Sequence, residues 1–223
     1  MLYRYVKALP EPRRHLRFIA FGLTGIGLVM LANVGLPLFV YRLQTQSLSP
    51  QIISPLGQTK AVLGADSIRI EQWFPSVPAL PSWQSKITDY NLSIPKLGIK
   101  QALVKINSED LSQSLVHYAG TTLPGQYGNA IIFGHSVLPQ FFNPKKYKTI
   151  FSTLPTLQEG DEILVDFDGI TYRYQVINMV EVSPQDVSVL EQHYDAEYLS
   201  LITCVPPGTY LHRLVVKAKL VRF

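Results

Sequence analysis

The chain has 223 residues, 47% of them hydrophobic, and a formal net charge of +4; that length suits one ordinary domain with accessories. The charge is not a nucleic-acid footprint. Arg4, Lys7, Arg13, Arg14 and Arg17 crowd the N-terminus, whereas from Leu43 onward 14 basic residues face 15 acidic ones, and binding to nucleic acid needs a basic face on the domain itself. The single cysteine, Cys204, excludes an intrachain disulfide and a structural zinc site built on several thiolates.

The first element in chain order is an apolar run. Phe18 to Tyr41 is 24 residues without a charged side chain, about 36 Å as a helix at ~1.5 Å per residue, enough to cross a bilayer core of about 30 Å with some tilt. The five basic residues before it and only Arg42 close behind it place the N-terminus in the cytoplasm and the remainder outside. A cleavable signal peptide is the rival reading, but such an apolar region is shorter, about 7–15 residues, and ends in a small-residue site. The expected division is a basic tail over 1–17, a transmembrane signal anchor over 18–41, a linker over 42–85 and a catalytic domain over 86–223.

The linker is rich in Gln, Ser, Thr and Pro and reads as extended chain. Ser67 to Glu71 alternates and could form a minor strand. Trp73, Phe74 and Trp83 are unusual in a spacer. We expect them to pack the segment onto the domain; the sharper reading is a lid over the active site.

The domain reads as short strands. Ile87 to Ile94 and Ile99 to Ile106 flank turn chemistry at Pro95-Lys96-Leu97-Gly98. Ser108 to Leu111 is expected to open a short helix capped by Ser108 and ending at His117. Asn129 to Phe133 is a compact strand, and Lys146 to Leu154 a short helical turn. Glu162 to Phe167 and Ile170 to Val182 form a hairpin about Asp168-Gly169, the pair a two-residue turn favours. Ser183 and Pro184 start another short helix, and His193 falls in a polar helix. Tyr198 to Thr203 and Leu211 to Leu220 are the last strands. Many short strands at steady spacing, with abundant Pro and Gly, predict a mainly β, closed or nearly closed barrel. The acids Asp161, Glu162, Asp166 and Asp168 read as a solvated rim, with no metal and no cofactor expected.

Cys204 ends the apolar strand YLSLITC before the turn Val205-Pro206-Pro207-Gly208. A lone thiol is more often a buried hydrophobe than a nucleophile, so its surroundings decide. An unperturbed thiol, with a pKa of about 8.5, is only a few per cent thiolate at neutral pH and needs a base. His15 lies on the wrong side of the membrane. His135, at a strand end like Cys204, and His117 compete for the role. Arg213 sits in an otherwise apolar strand, LHRLVV, where its charge is costly unless paired or functional; it is either an oxyanion or substrate donor or an outward arginine on an edge strand.

Three stretches together resemble the sortase family: HYAGTTLPGQYGNAIIFGHS (117–136), LITC (201–204) and LHRLVVKAKL (211–220). The first resembles the strand leading to that family's catalytic histidine, here His135. The second is similar to its TLxTC signature with the nucleophile last, and the third to its arginine-bearing strand with Arg213 in place. Ser136, where many members carry Arg, is a mild departure.

The resemblance implies an eight-stranded sortase-type barrel with short helices, carried on a single-pass membrane anchor. It implies a cysteine transpeptidase in which Cys204 attacks the Thr–Gly bond of an LPXTG-like sorting signal on a secreted protein, and His135 protonates the leaving amine. A thioester then passes to an amine on a cell-wall precursor or a pilin lysine. Arg213 would hold the substrate backbone or the oxyanion, and Thr203, with Ile202 and His212, would contact substrate. The subgroup is expected to be class C, D or E-like, without the Asp-Pro-Trp lid motif. An L,D-transpeptidase is disfavoured because Ile202-Thr203 replaces its Ser-x-Gly before the cysteine. A hydrolytic cysteine protease and an inactive membrane-anchored β-barrel binding module are the competing functions.

Overall fold

The structure is a computed structural model and describes residues 14–44, 73–74 and 86–222. Two compact units divide the chain between Leu43 and Gln44. One 31-residue helix, α1, runs over Arg14–Gln44, all but its last residue in the first unit. Phe18, Phe21, Leu28, Met30, Leu31 and Phe39 on it are all exposed. Among the described residues no helix is long and apolar enough to cross a membrane. The strand expected at 67–71, Trp83 and most of the 42–85 linker lie outside the described residues.

The second unit is an eight-stranded closed barrel: β1 Asp89–Ile94, β2 Ile99–Ile106, β3 Leu115–His117, β4 Gly128–Phe133, β5 Glu162–Phe167, β6 Ile170–Val182, β7 Glu197–Val205 and β8 His212–Leu220. The order round the barrel is β1-β2-β3-β4-β7-β8-β6-β5. Pairings are antiparallel except β2 with β3 and β4 with β7. Alternation sets the interior: in β1, Tyr90, Leu92 and Ile94 are buried between less buried neighbours, as a half-buried strand requires. β4 and β7 break that pattern, with all six residues of β4 buried and all but Tyr198 in β7, because both of their faces are covered.

Two turns follow from local chemistry. Gly98 closes the Pro95–Leu97 turn in the left-handed region at φ 67°, and Asp168 and Gly169, at φ 53° and 73°, supply the two positive angles of a tight hairpin turn. The expected helices are the main departure. Residues 111–113 form a turn instead, and the Asp110 carboxylate accepts the Ser112 N–H at 2.7 Å, a local bond that competes with helix. His117 is therefore the last residue of β3. After β6 the Ser183 hydroxyl accepts the Gln185 N–H and the only helical turn before β7 is the 3-10 turn Ser188–Leu190, so His193 lies in irregular chain. The 146–154 region holds a 3-10 turn at Tyr147–Thr149, with a second at Leu154–Thr156.

The acids of the expected rim serve the surface: Asp161 pairs with Lys96 at 2.7 Å, and Asp166 accepts from Gln101 and Thr171, which hold its carboxyl below the usual range.

Gly134, just after β4, has no room for a side chain. A Cβ there would lie 2.4 Å from the Phe151 ring and 2.6 Å from Leu115 Cδ2. Gly134→Ala is expected to cost about 1–3 kcal/mol by overpacking, read as a lower denaturant midpoint at unchanged slope; an unchanged midpoint would mean that Phe151 yields freely.

Candidate active site

The site is assembled by strand adjacency. β4 and β7 run parallel with Gly128 opposite Glu197 and Phe133 opposite Ile202, an offset of 69 residues that the Thr203–Gly134 contact repeats. Carried two residues past the ladder's end, the same offset sets His135 beside Cys204. Because the strands are parallel, their C-terminal ends share one rim of the barrel. β8 is antiparallel to β7 and starts at that rim, where Arg213 pairs directly with Cys204, a cross-strand position at which side chains lie on the same face.

All three groups are buried. Cys204 is 2% exposed, Arg213 4% and His135 9%. The sequence left open an outward Arg213; here the guanidinium is buried beneath Trp73. Its Nη1 donates to the Tyr210 and His212 carbonyls at 3.1 and 3.2 Å, and its Nη2 to the Trp73 carbonyl at 3.1 Å. Its Nε is buried without a hydrogen-bond partner. An unsatisfied buried donor costs about 1–3 kcal/mol, and this one marks a place where an acceptor is wanted.

Trp73 and Phe74 cover the site. Trp73 is 2% exposed and lies 5.4 Å from the Phe133 ring, edge-on, and 5.9 Å from the His135 ring, with the Arg213 guanidinium 5.4 Å from its centroid. Both aromatics join one cluster with Phe133, Ile202, Cys204 and Val215. Of the linker aromatics, Trp73 and Phe74 therefore pack onto the domain, and they do so over Cys204, His135 and Arg213.

Burial sets the protonation states. It pushes the Cys204 thiol up to about 11, against a smaller opposing pull from Arg213. It holds the His135 imidazole down at about 4, helped by Lys148 and opposed by Asp110. Near neutral pH the covered site thus holds a thiol and a neutral imidazole.

His117, the rival base, is engaged elsewhere. Its Nδ1 meets the Tyr90 hydroxyl at 2.8 Å and its Nε2 the Thr121 hydroxyl at 3.1 Å, and burial holds it at about 4. Of the residues expected to touch substrate, Ile202 shares the apolar cluster with Cys204. Thr203 lies between them on the other face of β7 and donates to the Gly134 carbonyl at 2.7 Å. His212 is exposed at the start of β8. Two contacts were not legible in the residues: the Trp73 carbonyl on Arg213, and the Ser136 hydroxyl, which donates to the Cys204 carbonyl at 2.6 Å.

Residues 92–221 match the model of the Sortase domain. The chain is 30% identical over 159 residues to Sortase A of Bacillus anthracis, covering 70% of each chain. Among solved structures it is similar to sortase C1 of Streptococcus agalactiae, at 31% identity and TM-score 0.54, over 63% of this chain and 72% of that one. It is also similar to a lid mutant of sortase A from Corynebacterium diphtheriae, at 25% identity and TM-score 0.53, over 84% and 92%.

The cover makes a prediction about reactivity. In the intact chain, alkylation of Cys204 by iodoacetamide should climb with pH toward about 11 without a plateau in the neutral range, because thiolate forms only as pH nears the raised value. Trp73→Ala rehydrates the thiol, so the inflection should fall toward the ordinary value of about 8.5 and the neutral-pH rate rise at least about tenfold. Identical profiles for the two proteins would mean that Trp73 does not guard the thiol.

Proposed function

The chain belongs to the sortase family of cysteine transpeptidases, and from that premise we propose that it cleaves an LPXTG-like sorting signal at its Thr–Gly bond and passes the acyl group to a cell-surface amine. The observation that carries this reading is the shared rim at which Cys204 and Arg213 pair across strands beside His135.

In the proposed cycle, Cys204 Sγ attacks the threonine carbonyl carbon as its proton passes to His135. The resulting oxyanion meets a donor in Arg213, whose buried Nε has no partner. Collapse breaks the C–N bond, and His135 returns the proton to the departing glycine amine. The thioester is then attacked by an acceptor amine on a cell-wall precursor or a pilin lysine. A new amide forms and the thiol is regenerated. Ile202 would line the pocket beside the nucleophile, Thr203 would brace it from the other face of β7, and His212 would meet the substrate at the rim.

The Trp73–Phe74 segment reads as a cover that substrate must displace, since the Trp73 carbonyl occupies a donor, Arg213 Nη2, suited to a substrate carbonyl. The C. diphtheriae relative is named as a lid mutant. Here the described covering residues are Trp73 and Phe74, in the sequence Gln72-Trp73-Phe74-Pro75 rather than Asp-Pro-Trp.

Membrane anchoring belongs to the same proposal. The basic N-terminal flank and the exposed apolar side chains of α1 support a single-pass anchor over 18–41, with the N-terminus cytoplasmic and the 86–223 domain outside. Both substrates would then meet the enzyme at the outer membrane surface.

The test is mass spectrometry of the full chain with an LPXTG-type peptide, with and without an amine acceptor. A covalent acyl mass on Cys204 that moves to the amine, is lost in Cys204→Ala and falls by about 10²–10³ in rate in Arg213→Ala is expected. A peptide panel that leaves no adduct on a folded, thiol-reactive chain would favour an inactive binding module, and release of free acid despite added amine would favour a hydrolase.

A further inference from the structure

Ser136 directly follows the candidate base and ends on the nucleophile. In the parallel β4–β7 pair, carbonyls on alternate residues of one strand accept from the other. Ile202 O accepts the Gly134 N–H at 3.1 Å. Two residues on, Cys204 O accepts instead from the Ser136 hydroxyl at 2.6 Å, and Ser136 and Cys204 are both buried. The hydroxyl thus prolongs the ladder past the end of β4, at the level of the reactive pair.

The turn that bears His135 is tied on its other side as well. The Phe151 N–H donates to the His135 carbonyl at 3.0 Å, and the Ser152 hydroxyl accepts the Val137 N–H at 2.9 Å. Thr203 joins β7 to Gly134. The bond from Ser136 differs from these in reaching the nucleophile's own residue.

We infer that Ser136 is a positioning residue whose hydroxyl, by clamping the Cys204 carbonyl, fixes the spacing of the His135 imidazole and the Cys204 thiol. It touches no reacting atom and acts through both neighbours. The inference rests on the proposed His135–Cys204 partnership but not on the identity of the substrate.

A double-mutant cycle on the full chain tests it, with iodoacetamide alkylation of Cys204 as a readout that needs no peptide. Opening of the Trp73 cover cancels in the ratios where it is a fast pre-equilibrium common to all variants, and running the same cycle in the Trp73→Ala background removes it where opening is slow. Ser136→Ala should slow alkylation about tenfold when His135 is present and less than about twofold in a His135→Ala background, as expected for losing one buried bond that acts through the imidazole. Ser136→Thr, which keeps the donor, should restore the rate to within about twofold, and Ser136→Val, its isostere without the donor, should not. If Ser136→Ala fails to fold, the Thr and Val variants carry the same comparison. An equal slowing in both backgrounds would reduce Ser136 to a purely structural role and overturn the inference, as would a rate that ignores the hydroxyl. With an LPXTG-type peptide, Ser136→Ala should lower kcat with little change in KM. A wild-type chain that alkylates normally yet takes no acyl group from the peptide would count against the substrate reading and leave the alkylation cycle to decide on Ser136.

Discussion

The parallel pairing of β4 with β7 is the constraint on which the site depends. Parallel neighbours end at the same side of a sheet, and the register of this pair, Phe133 on Ile202, decides what stands at that side. A slip of one residue would turn every side chain of one strand to the opposite face, and His135 would no longer reach the level of Cys204. The register is protected by burial on both faces of β4 and β7. At the rim it is protected by bonds that outlast the ladder: Gly134 to Ile202, Thr203 to Gly134 and Ser136 to Cys204. The antiparallel return of β8 then sets Arg213 across from the nucleophile.

Burial opposes the proposed chemistry while the cover is in place. A thiol near 11 and an imidazole near 4 are a resting pair. The desolvation that quiets them is partly supplied by Trp73 and Phe74, which complete the apolar cluster around Cys204. A guanidinium this deeply buried would be costly without partners; three carbonyls satisfy two of its nitrogens, and one of those carbonyls comes from the cover. In the proposed cycle, displacing the cover would free a donor and admit water in one movement.

Local signals read well where backbone chemistry is decisive. The Asp168-Gly169 hairpin lies between β5 and β6 at the expected ends, because two positive angles suit few residue pairs. They read poorly where a side chain competes for the backbone. Ser108 and Ser183 look like helix starters, yet each hydroxyl accepts an N–H two residues ahead and makes a turn. That misreading placed His117 at a helix end, when it is a strand residue held between Tyr90 and Thr121.

The sequence by itself determined the β-rich class, most strand positions and a single thiol at a strand end. Each follows from alternation, turn residues or a count, which are local properties. It could not choose between His135 and His117 from spacing, nor say whether Arg213 faced in or out. It did not foresee a carbonyl of residue 73 on the guanidinium of residue 213 or a hydroxyl of residue 136 on the carbonyl of residue 204. The tertiary structure bonds His117 to Tyr90 and Thr121, buries Arg213 and makes those two contacts, because the order of strands round a closed barrel and the parallel register of β4 on β7 are long-range facts. Residues 69 positions apart become neighbours only once that register has formed.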